Sequence, residues 1–261
     1  MIDMFIARYN NKLVVAKENG YYDSAISFDN FNWNAVNEKS FVNVPDFVSK
    51  IHEFPVYEKA KVICVGKNYL LHAQELNSEV PKEPLLFWKP HSSLLAPKGE
   101  IILPSMSKNI HHETELVAVI GKGGKNGKNI PVNEAMDHVL GYTVGLDITA
   151  RDLQRSDTTW FRGKGFDTFA PVGPIIVPKD QVNLDDCTIE LKINGEIRQH
   201  GNTKDFIFKL PMVINYVSQI VTLEPGDIIF TGTPEGVGPI HSGDKLQATI
   251  SNIGLLEVYV A

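Results

Sequence analysis

The sequence predicts a β-rich α+β fold, and three observations point that way. Short strand-like runs recur along the chain, separated by Gly, Pro, Asn and Asp turn signals. One pair of runs, 188–194 and 196–200, is joined through Asn194-Gly195, the dipeptide that supplies the positive φ angles of a type I′ hairpin turn. Helical stretches are few and short, which argues against a doubly wound α/β arrangement. No internal repeat is visible.

The elements follow in chain order. Residues 4–9 and 12–17 flank Asn10-Asn11 as a hairpin. Residues 28–39 are rich in Asn and aromatics and show no period. Residues 46–53 read as a short helix stopped by Pro55. A boundary near residue 57 divides a small N-terminal domain, 1–57, from a larger domain, 58–261. Residues 61–66 form a buried-strand pattern, followed by strands at 85–88, 100–103, 114–121 and 142–148. Residues 211–220 read as a helix opened by Pro211 in its first turn. Strands at 227–231, 245–250 and 255–260 complete the chain.

Composition excludes several function classes. With 261 residues, 43% hydrophobic and 21% charged, the chain has an ordinary globular mixture and needs no disulfide staples. Its net charge of −6 and lack of a basic stripe argue against nucleic acid and against membrane-surface binding through basic residues. No apolar run approaches the ~18 residues of a membrane span. Residues 1–11 show no basic segment followed by a long apolar one, so no secretory signal is expected. The two cysteines, Cys64 and Cys187, make neither a disulfide framework nor a zinc-type pair, and a reducing, cytoplasmic compartment is expected.

Some motifs fail on inspection. The run GKGGKNGKN at 121–129 lacks the P-loop spacing and its Ser/Thr, and reads as a solvated hairpin loop. His112-Glu113-Thr114-Glu115 begins like a zincin helix but has no second His. No G-x-S-x-G elbow supplies a serine nucleophile.

The carboxylates carry more. Glu113 and Glu115 lead into the apolar run 116–120, and on a strand residues i and i+2 share a face. Two adjacent carboxylates repel unless a cation or proton lies between them. Alone, the pair also fits a solvated strand face. Asp147 ends a second apolar run, 142–146, and a buried acid in such a setting must be paired or metal-bound. Three carboxylates without Cys or His define a hard oxygen site suited to Mg²⁺ or Mn²⁺ rather than zinc. In a helical turn His72 and Glu75, at i and i+3, share a face; such a pair suits a general base acting on water, and equally a surface ion pair. The polar stretch 77–83 that follows reads as a lid loop.

Taken together, VGKNYLLHAQE, LFWKP, HHETELVAVIGK, GYTVGLDITARDLQ and TGTPEGVG, supported by WFRGKGFDTFAPVGP, identify a resemblance. Over residues 60–261 the chain resembles the fumarylacetoacetate hydrolase superfamily, in its branch of acylpyruvate hydrolases, oxaloacetate decarboxylases and 2-hydroxyhepta-2,4-diene-1,7-dioate (hydroxymuconate-type) isomerases. The resemblance implies a mixed β-sandwich roll with a small N-terminal domain, usually as a homodimer. It implies a divalent ion held by Glu113, Glu115 and Asp147, with His72 and Glu75 as the base pair on a mobile lid. It makes Lys164 a cationic oxyanion stabiliser or proton donor, and Gln154 and Thr233 hydrogen-bonding partners of the substrate. Arg151 and Lys89 join them in the substrate pocket, Arg151 also organising with Asp152 the loop after Asp147. His112 is expected to orient a carboxylate or stabilise its turn. Trp88 and Trp160 fit core or pocket wall alike. Gly165 stands where many relatives carry Ser, a departure that either loosens the lysine loop or opens room for substrate.

A 2-keto acid chelates a divalent ion, which stabilises an adjacent enolate. Hydrolysis of a 2,4-dioxo acid of the acylpyruvate or fumarylpyruvate type through a metal-bound pyruvate enolate is the first expectation, because the chain carries both His72 and Glu75. Oxaloacetate decarboxylation, which leaves the same enolate, and isomerisation, in which a base moves a proton along a dienol, share stabilisation of an enolate next to the ion and stand as alternatives. A non-catalytic metal-binding dimer is the alternative of another class.

Overall fold

The structure, a computed structural model, describes residues 4–23, 26, 28, 38–75 and 79–261. Residues 29–37 of the Asn-rich stretch and the first residues of the expected lid, 77 and 78, lie outside the described residues.

The predicted hairpins form. Phe5–Tyr9 pairs with Lys12–Lys17 around Asn10 and Asn11, both at positive φ (51° and 60°). Thr188–Ile193 pairs with Glu196–Asn202 around Asn194 and Gly195, at 52° and 89°. The helix expected at 46–53 is only a 3₁₀ turn, Phe47–Lys50. Four α-helices are described: α1 (Leu70–Glu75), α2 (Arg151–Ser156), α3 (Phe161–Lys164) and α4 (Leu210–Ile220).

Among the described residues the strands form three sheets. The largest runs in the spatial order Phe41–Asn43, Gly20–Tyr22, Lys12–Lys17, Phe5–Tyr9, Ala170–Pro178, Val139–Leu146, Thr114–Ile120, Ile228–Phe230, Val62–Gly66, Leu85–Lys89. A second sheet orders Glu196–Asn202, Thr188–Ile193, Lys245–Ile250, Gly254–Val260 and Glu100–Ile101; a small third one joins Thr149–Ala150, Ile110–His112 and Gly238–Pro239. The β-rich α+β class expected from the sequence is therefore the observed one.

Thr114–Ile120 explains the layering. Every residue in it is buried. Leu116, Ala118 and Ile120 belong to one apolar cluster with Leu191, Ala248, Leu256 and Val258 of the second sheet. Val117 and Val119 belong to another with Val56, Ala60, Val62, Val172 and Ile176. A strand covered on both faces needs an unbroken apolar run rather than alternation.

The strand that sequence reasoning passes over is Ala170–Pro178, which carries three prolines. Proline cannot donate to a ladder and argues against an interior strand. Here Pro174 falls in the irregular stretch between the Val144–Gly173 and Tyr142–Val177 pairs, and Pro178 lies at the strand end. On its other edge the strand pairs with Phe5–Tyr9 at Ile6–Ile176 and Ala7–Ile175, so the N-terminal strands continue the large sheet. The glycine-rich loop at 121–129 is exposed at Lys122, Asn126, Lys128 and Asn129, as a solvated loop should be, and is also tied to Leu223 through its glycines. Gly124 N donates to Leu223 O and Leu223 N to Gly127 O, and a Cβ on Gly127 would fall 2.0 Å from the Leu223 carbonyl oxygen.

The topology sets the site at one end of the sheet. Val62–Gly66 and Ile228–Phe230 are parallel, and Thr114–Ile120 runs antiparallel to Ile228–Phe230 and to Val139–Leu146. Where the two parallel strands end, Thr114–Ile120 begins and Val139–Leu146 ends. Lys67, Gly232, Glu113 and Asp147 lie just beyond those four ends.

Candidate active site

Strand register assembles the carboxylates. Thr114 pairs with Leu146 and Glu115 with Gly145, which brings Glu113 opposite Asp147; Asp147 N donates to Glu113 O at 2.8 Å. Glu113 and Glu115 share a strand face. One oxygen from each of Glu113, Glu115 and Asp147 lies within 4.8 Å of the others, and all three residues are buried.

Three cations compensate them. Lys164 Nζ donates to Glu113 Oε2 at 2.8 Å and also to Asp147 Oδ2. Lys89 Nζ is ion-paired with Asp147 Oδ1 at 2.7 Å. Arg151 Nη2 donates to Glu113 Oε1. Among the described residues Glu115 has no ion-pair partner, and its Oε2 accepts from Gly232 N at 2.7 Å. Burial alone would raise the Glu113 carboxyl, but the charges of Arg151, Lys164 and His72 hold it well below its ordinary range. Burial, then Asp147 and Glu113, push Glu115 well above that range. Burial also raises Asp147, with Lys164 and Lys89 opposing.

These residues fit a hard divalent cation. The donors are all carboxylate oxygens, which suit octahedral oxygen coordination rather than a thiolate or imidazole site. The pocket already accommodates positive charge, since the Lys164 ammonium spans Glu113 and Asp147. Glu115, buried without a counter-cation, is the carboxylate such an ion would neutralise.

His72 on α1 is 3% exposed, and its Nδ1 lies 3.3 Å from Glu75 Oε2. Glu75 Oε1 accepts from Gly236 N at 3.1 Å, tying α1 to the loop after Ile228–Phe230. Burial lowers the His72 imidazole below its usual value, against the raising effect of Glu113 and Glu75. A neutral imidazole beside a carboxylate is the form required of a base.

A cavity of about 170 Å³ opens over this floor. Of the residues expected from the sequence, His72, Glu113, Arg151, Gln154 and Lys164 line it. Gln154 Oε1 accepts from Arg151 Nη1 at 2.8 Å, which fixes both side chains.

Two expected substrate contacts are placed differently. Lys89 is 2% exposed and donates to the carbonyls of Ile148, Lys164 and Phe169, at 3.1, 2.5 and 2.9 Å. An ammonium has three protons, so nothing remains for a ligand; Lys89 holds Asp147 and the Lys164 loop in place. Thr233 donates its hydroxyl proton to Thr114 O and accepts from Gln199 Nε2, both at 2.8 Å. It braces the strand carrying the carboxylates and does not line the cavity.

Other residues escaped sequence reasoning. Gln199, fully buried, accepts from Thr114 N at 2.9 Å and lies 3.2 Å from His112 Nδ1, so His112 acts on the turn through an amide rather than on a carboxylate. Asn68 donates to Phe208 O and Thr231 O and accepts from Phe208 N, anchoring the chain just before α1. Lys67, Arg155 and Trp160 line the cavity too. Trp160 therefore belongs to the pocket wall, stacked edge-on to Phe87 and close enough that a Cβ on Gly66 would come within 2.7 Å of its ring. Trp88 is exposed on the terminal strand of the large sheet.

Comparison with known proteins agrees with this architecture. The chain is 48% identical over 203 residues to the mitochondrial oxaloacetate tautomerase FAHD1 of Arabidopsis thaliana, covering 76% of this chain and 88% of that protein. Fumarylpyruvate hydrolase from Pseudomonas aeruginosa, solved in complex with Mn²⁺ and pyruvate, superposes with a TM-score of 0.72 at 40% identity, covering 80% of this chain and 91% of the other. 2-Hydroxyhepta-2,4-diene-1,7-dioate isomerase from Mycobacterium marinum superposes with a TM-score of 0.81 at 32% identity, covering 100% and 98%. The family described as fumarylacetoacetate (FAA) hydrolase C-terminal matches residues 61–261, and a match of that extent makes the chain a member of the fumarylacetoacetate hydrolase family.

Proposed function

We propose that the chain is a divalent-metal-dependent enzyme that hydrolyses the C–C bond of a short 2,4-dioxo acid. The observation that carries the reading is His72, which lines the same cavity as Glu113 and Lys164 and is backed at Nδ1 by Glu75. Glu113, Glu115 and Asp147 would hold Mg²⁺ or Mn²⁺. When bound, the ion supplies Lewis-acid polarisation of the 2-keto oxygen.

The chain's own groups then divide the work. With Nδ1–H directed at Glu75, His72 Nε2 takes a proton from water as the water oxygen attacks the distal carbonyl carbon. The C–C bond breaks towards the 2-keto side, giving a carboxylic acid and the enolate of pyruvate. Lys164 offsets the developing enolate charge. The His72 imidazolium returns its proton to carbon. Gln154 positions the substrate from the cavity wall, held by the buried Arg151.

A second reading is favoured by a specific observation, the similarity to an oxaloacetate tautomerase. Keto–enol exchange of oxaloacetate needs only proton transfer by the same base through the enolate of oxaloacetate, without water. Decarboxylation leaves the enolate of pyruvate, and dienol isomerisation moves a proton through a dienolate. The reading also carries a homodimer, residues 1–57 as a small domain ahead of the family match at 61, and a reducing, cytoplasmic setting, the last supported by the buried free thiols of Cys64 and Cys187.

The test is pyruvate release from acetylpyruvate and from oxaloacetate, with Mg²⁺, Mn²⁺ or EDTA, beside the enol–keto relaxation of oxaloacetate. Metal-dependent release from acetylpyruvate above oxaloacetate is expected. Relaxation of oxaloacetate without acetylpyruvate cleavage would establish the second reading instead.

A further inference from the structure

Within the strand Glu196–Asn202, at the edge of the second sheet, only Gln199 is buried. Regular alternation would turn it to the same side as Ile197, which is 56% exposed. A bulge prevents that. Lys192 pairs with Ile197 and Leu191 with Gln199, so Arg198 is an extra residue and the side chain after it is re-aimed into the molecule. A fully buried amide is costly unless its donors and acceptors are met. Here Oε1 accepts from Thr114 N at 2.9 Å and lies 3.2 Å from His112 Nδ1, while Nε2 donates to Thr233 Oγ1 at 2.8 Å and to Pro234 O at 3.0 Å. A backbone N–H at one end and a backbone carbonyl at the other fix which end of the amide is which.

The groups that this amide joins belong to different parts of the site. Thr114 stands between Glu113 and Glu115, so its N–H is in the backbone that carries two of the three carboxylates. Thr233 and Pro234 are the middle of the loop 231–236. Near its start Gly232 N donates to Glu115 Oε2, and at its end Gly236 N donates to Glu75 Oε1. One loop thus meets both the carboxylate floor and the carboxylate that backs His72, and Gln199 grips it between the two. Strand and loop are also in tight contact on either side of the amide. A Cβ on Gly201 would fall 2.4 Å from Pro234 Cβ, and a Cβ on Gly236 would fall 2.4 Å from the carbonyl oxygen of the bulged Arg198. Contact keeps the loop from moving towards the strand, and the two Nε2 bonds keep it from moving away.

We infer that Gln199 is a positioning residue, whose bulge-directed amide holds the metal-binding carboxylates and the His72–Glu75 base in register through the loop 231–236. It does not line the cavity and acts through Glu115 and Glu75. The inference rests on the proposed metal site and base, and adds the residue that sets one against the other.

Two substitutions in the full-length protein reach the same loop by different routes. Gln199→Met keeps length and burial and removes the amide. Gly201→Ala keeps the amide and pushes on Pro234. Val217→Ala, on the buried face of α4, is the stability control. Mn²⁺ affinity is read by calorimetry and exchange of the Gly236 N–H by NMR, at a temperature where each variant is folded. Both loop variants are expected to bind Mn²⁺ about 10–100-fold more weakly, the scale of a lost outer partner of a metal ligand. Their Gly236 N–H should exchange about tenfold faster, the worth of one hydrogen bond. Val217→Ala should change neither reading. At saturating Mn²⁺, with whichever of acetylpyruvate and oxaloacetate the wild type turns over, Gln199→Met should lower kcat by about 10²-fold. In a Glu75→Ala background the same substitution should cost far less, because the link it acts through is already gone. Unchanged Mn²⁺ affinity in both loop variants, or an undiminished loss of kcat in the Glu75→Ala background, would overturn the inference and leave the metal site standing. A wild type that binds no Mn²⁺ would overturn the metal-site reading and this inference with it.

Discussion

Glu113 and Asp147 stand opposite each other at the ends of two antiparallel strands, and the Lys164 ammonium joins their carboxylates. That relationship makes the floor of the site an ionic cluster in which one member, Glu115, has a backbone N–H and, among the described residues, no ion-pair partner. The three acids are therefore not equivalent, and their substitutions should separate.

Glu115→Gln keeps an acceptor for Gly232 N and removes a buried carboxylate without a cation partner. The folded protein raises this carboxyl's pKa, so between its ordinary value of 4.5 and the raised one the folded state binds more protons. Stability of the metal-free wild type should accordingly fall as pH rises through that window. The variant should flatten that slope in urea melts with EDTA present. Asp147→Asn instead leaves Lys89 and Lys164 short of a counter-charge, and should cost roughly 3–5 kcal/mol. Both should lose Mn²⁺ affinity by more than the roughly 10–100-fold typical of an outer-sphere change. Equal stability losses in the two variants would contradict this assignment of partners.

Glu75→Gln separates water activation from enolate formation. The amide still accepts from Gly236 N, so α1 keeps its tie to the neighbouring loop, but the charge beside His72 Nδ1 is gone. Cleavage of acetylpyruvate should fall by about 10²–10⁴-fold, the usual worth of a general base. Oxaloacetate decarboxylation, which needs no water, should fall much less. Parallel losses in both reactions would remove the argument for hydrolysis.

The ease of reading this site from sequence follows contact range. Glu113 and Glu115 declare a shared face through strand alternation, Asp147 stands out as an acid ending an apolar run, and His72–Glu75 is a local helical pair. Gln199 and Asn68 gave no such signal, because their partners lie far off in the chain: Asn68 meets Phe208 and Thr231, and Gln199 meets Thr114 and Thr233. Lys89 and Thr233 belonged to recognisable motifs, yet their donors turn to backbone carbonyls that only the folded chain brings near. Ala170–Pro178 was hidden for a different reason: its prolines are tolerated at a strand end and in an irregular stretch of pairing that local propensity does not reveal.

Lys89→Met tests the reassignment of that lysine. Removal of the ammonium strips Asp147 of one ion pair and leaves the carbonyls of Ile148, Lys164 and Phe169 without their shared donor. A loss of roughly 3–5 kcal/mol is expected in denaturant titrations of the metal-free protein. Whatever folds at low temperature should bind 2-oxopentanoate with near wild-type affinity once loaded with Mn²⁺. A stable variant with ligand binding selectively destroyed would restore Lys89 to the substrate pocket.

The pH–rate profile closes on His72. Burial lowers its pKa, so the neutral base persists below the imidazole's ordinary 6.5 and the acid limb of kcat/KM at saturating Mn²⁺ should lie under that value. The same shift acts on stability: below 6.5 the unfolded chain takes up the proton that the folded chain resists, so this residue's contribution is lost as pH falls. Glu75 is one of the groups that raise the His72 pKa. Glu75→Gln should therefore move the acid limb to still lower pH while reducing the plateau, a combination that mere loosening of α1 would not produce, since greater solvent access would relax the burial and move the limb upward. An upward move would mean that loosening of α1 governs the limb, and would take from Glu75 the role of tuning the His72 base.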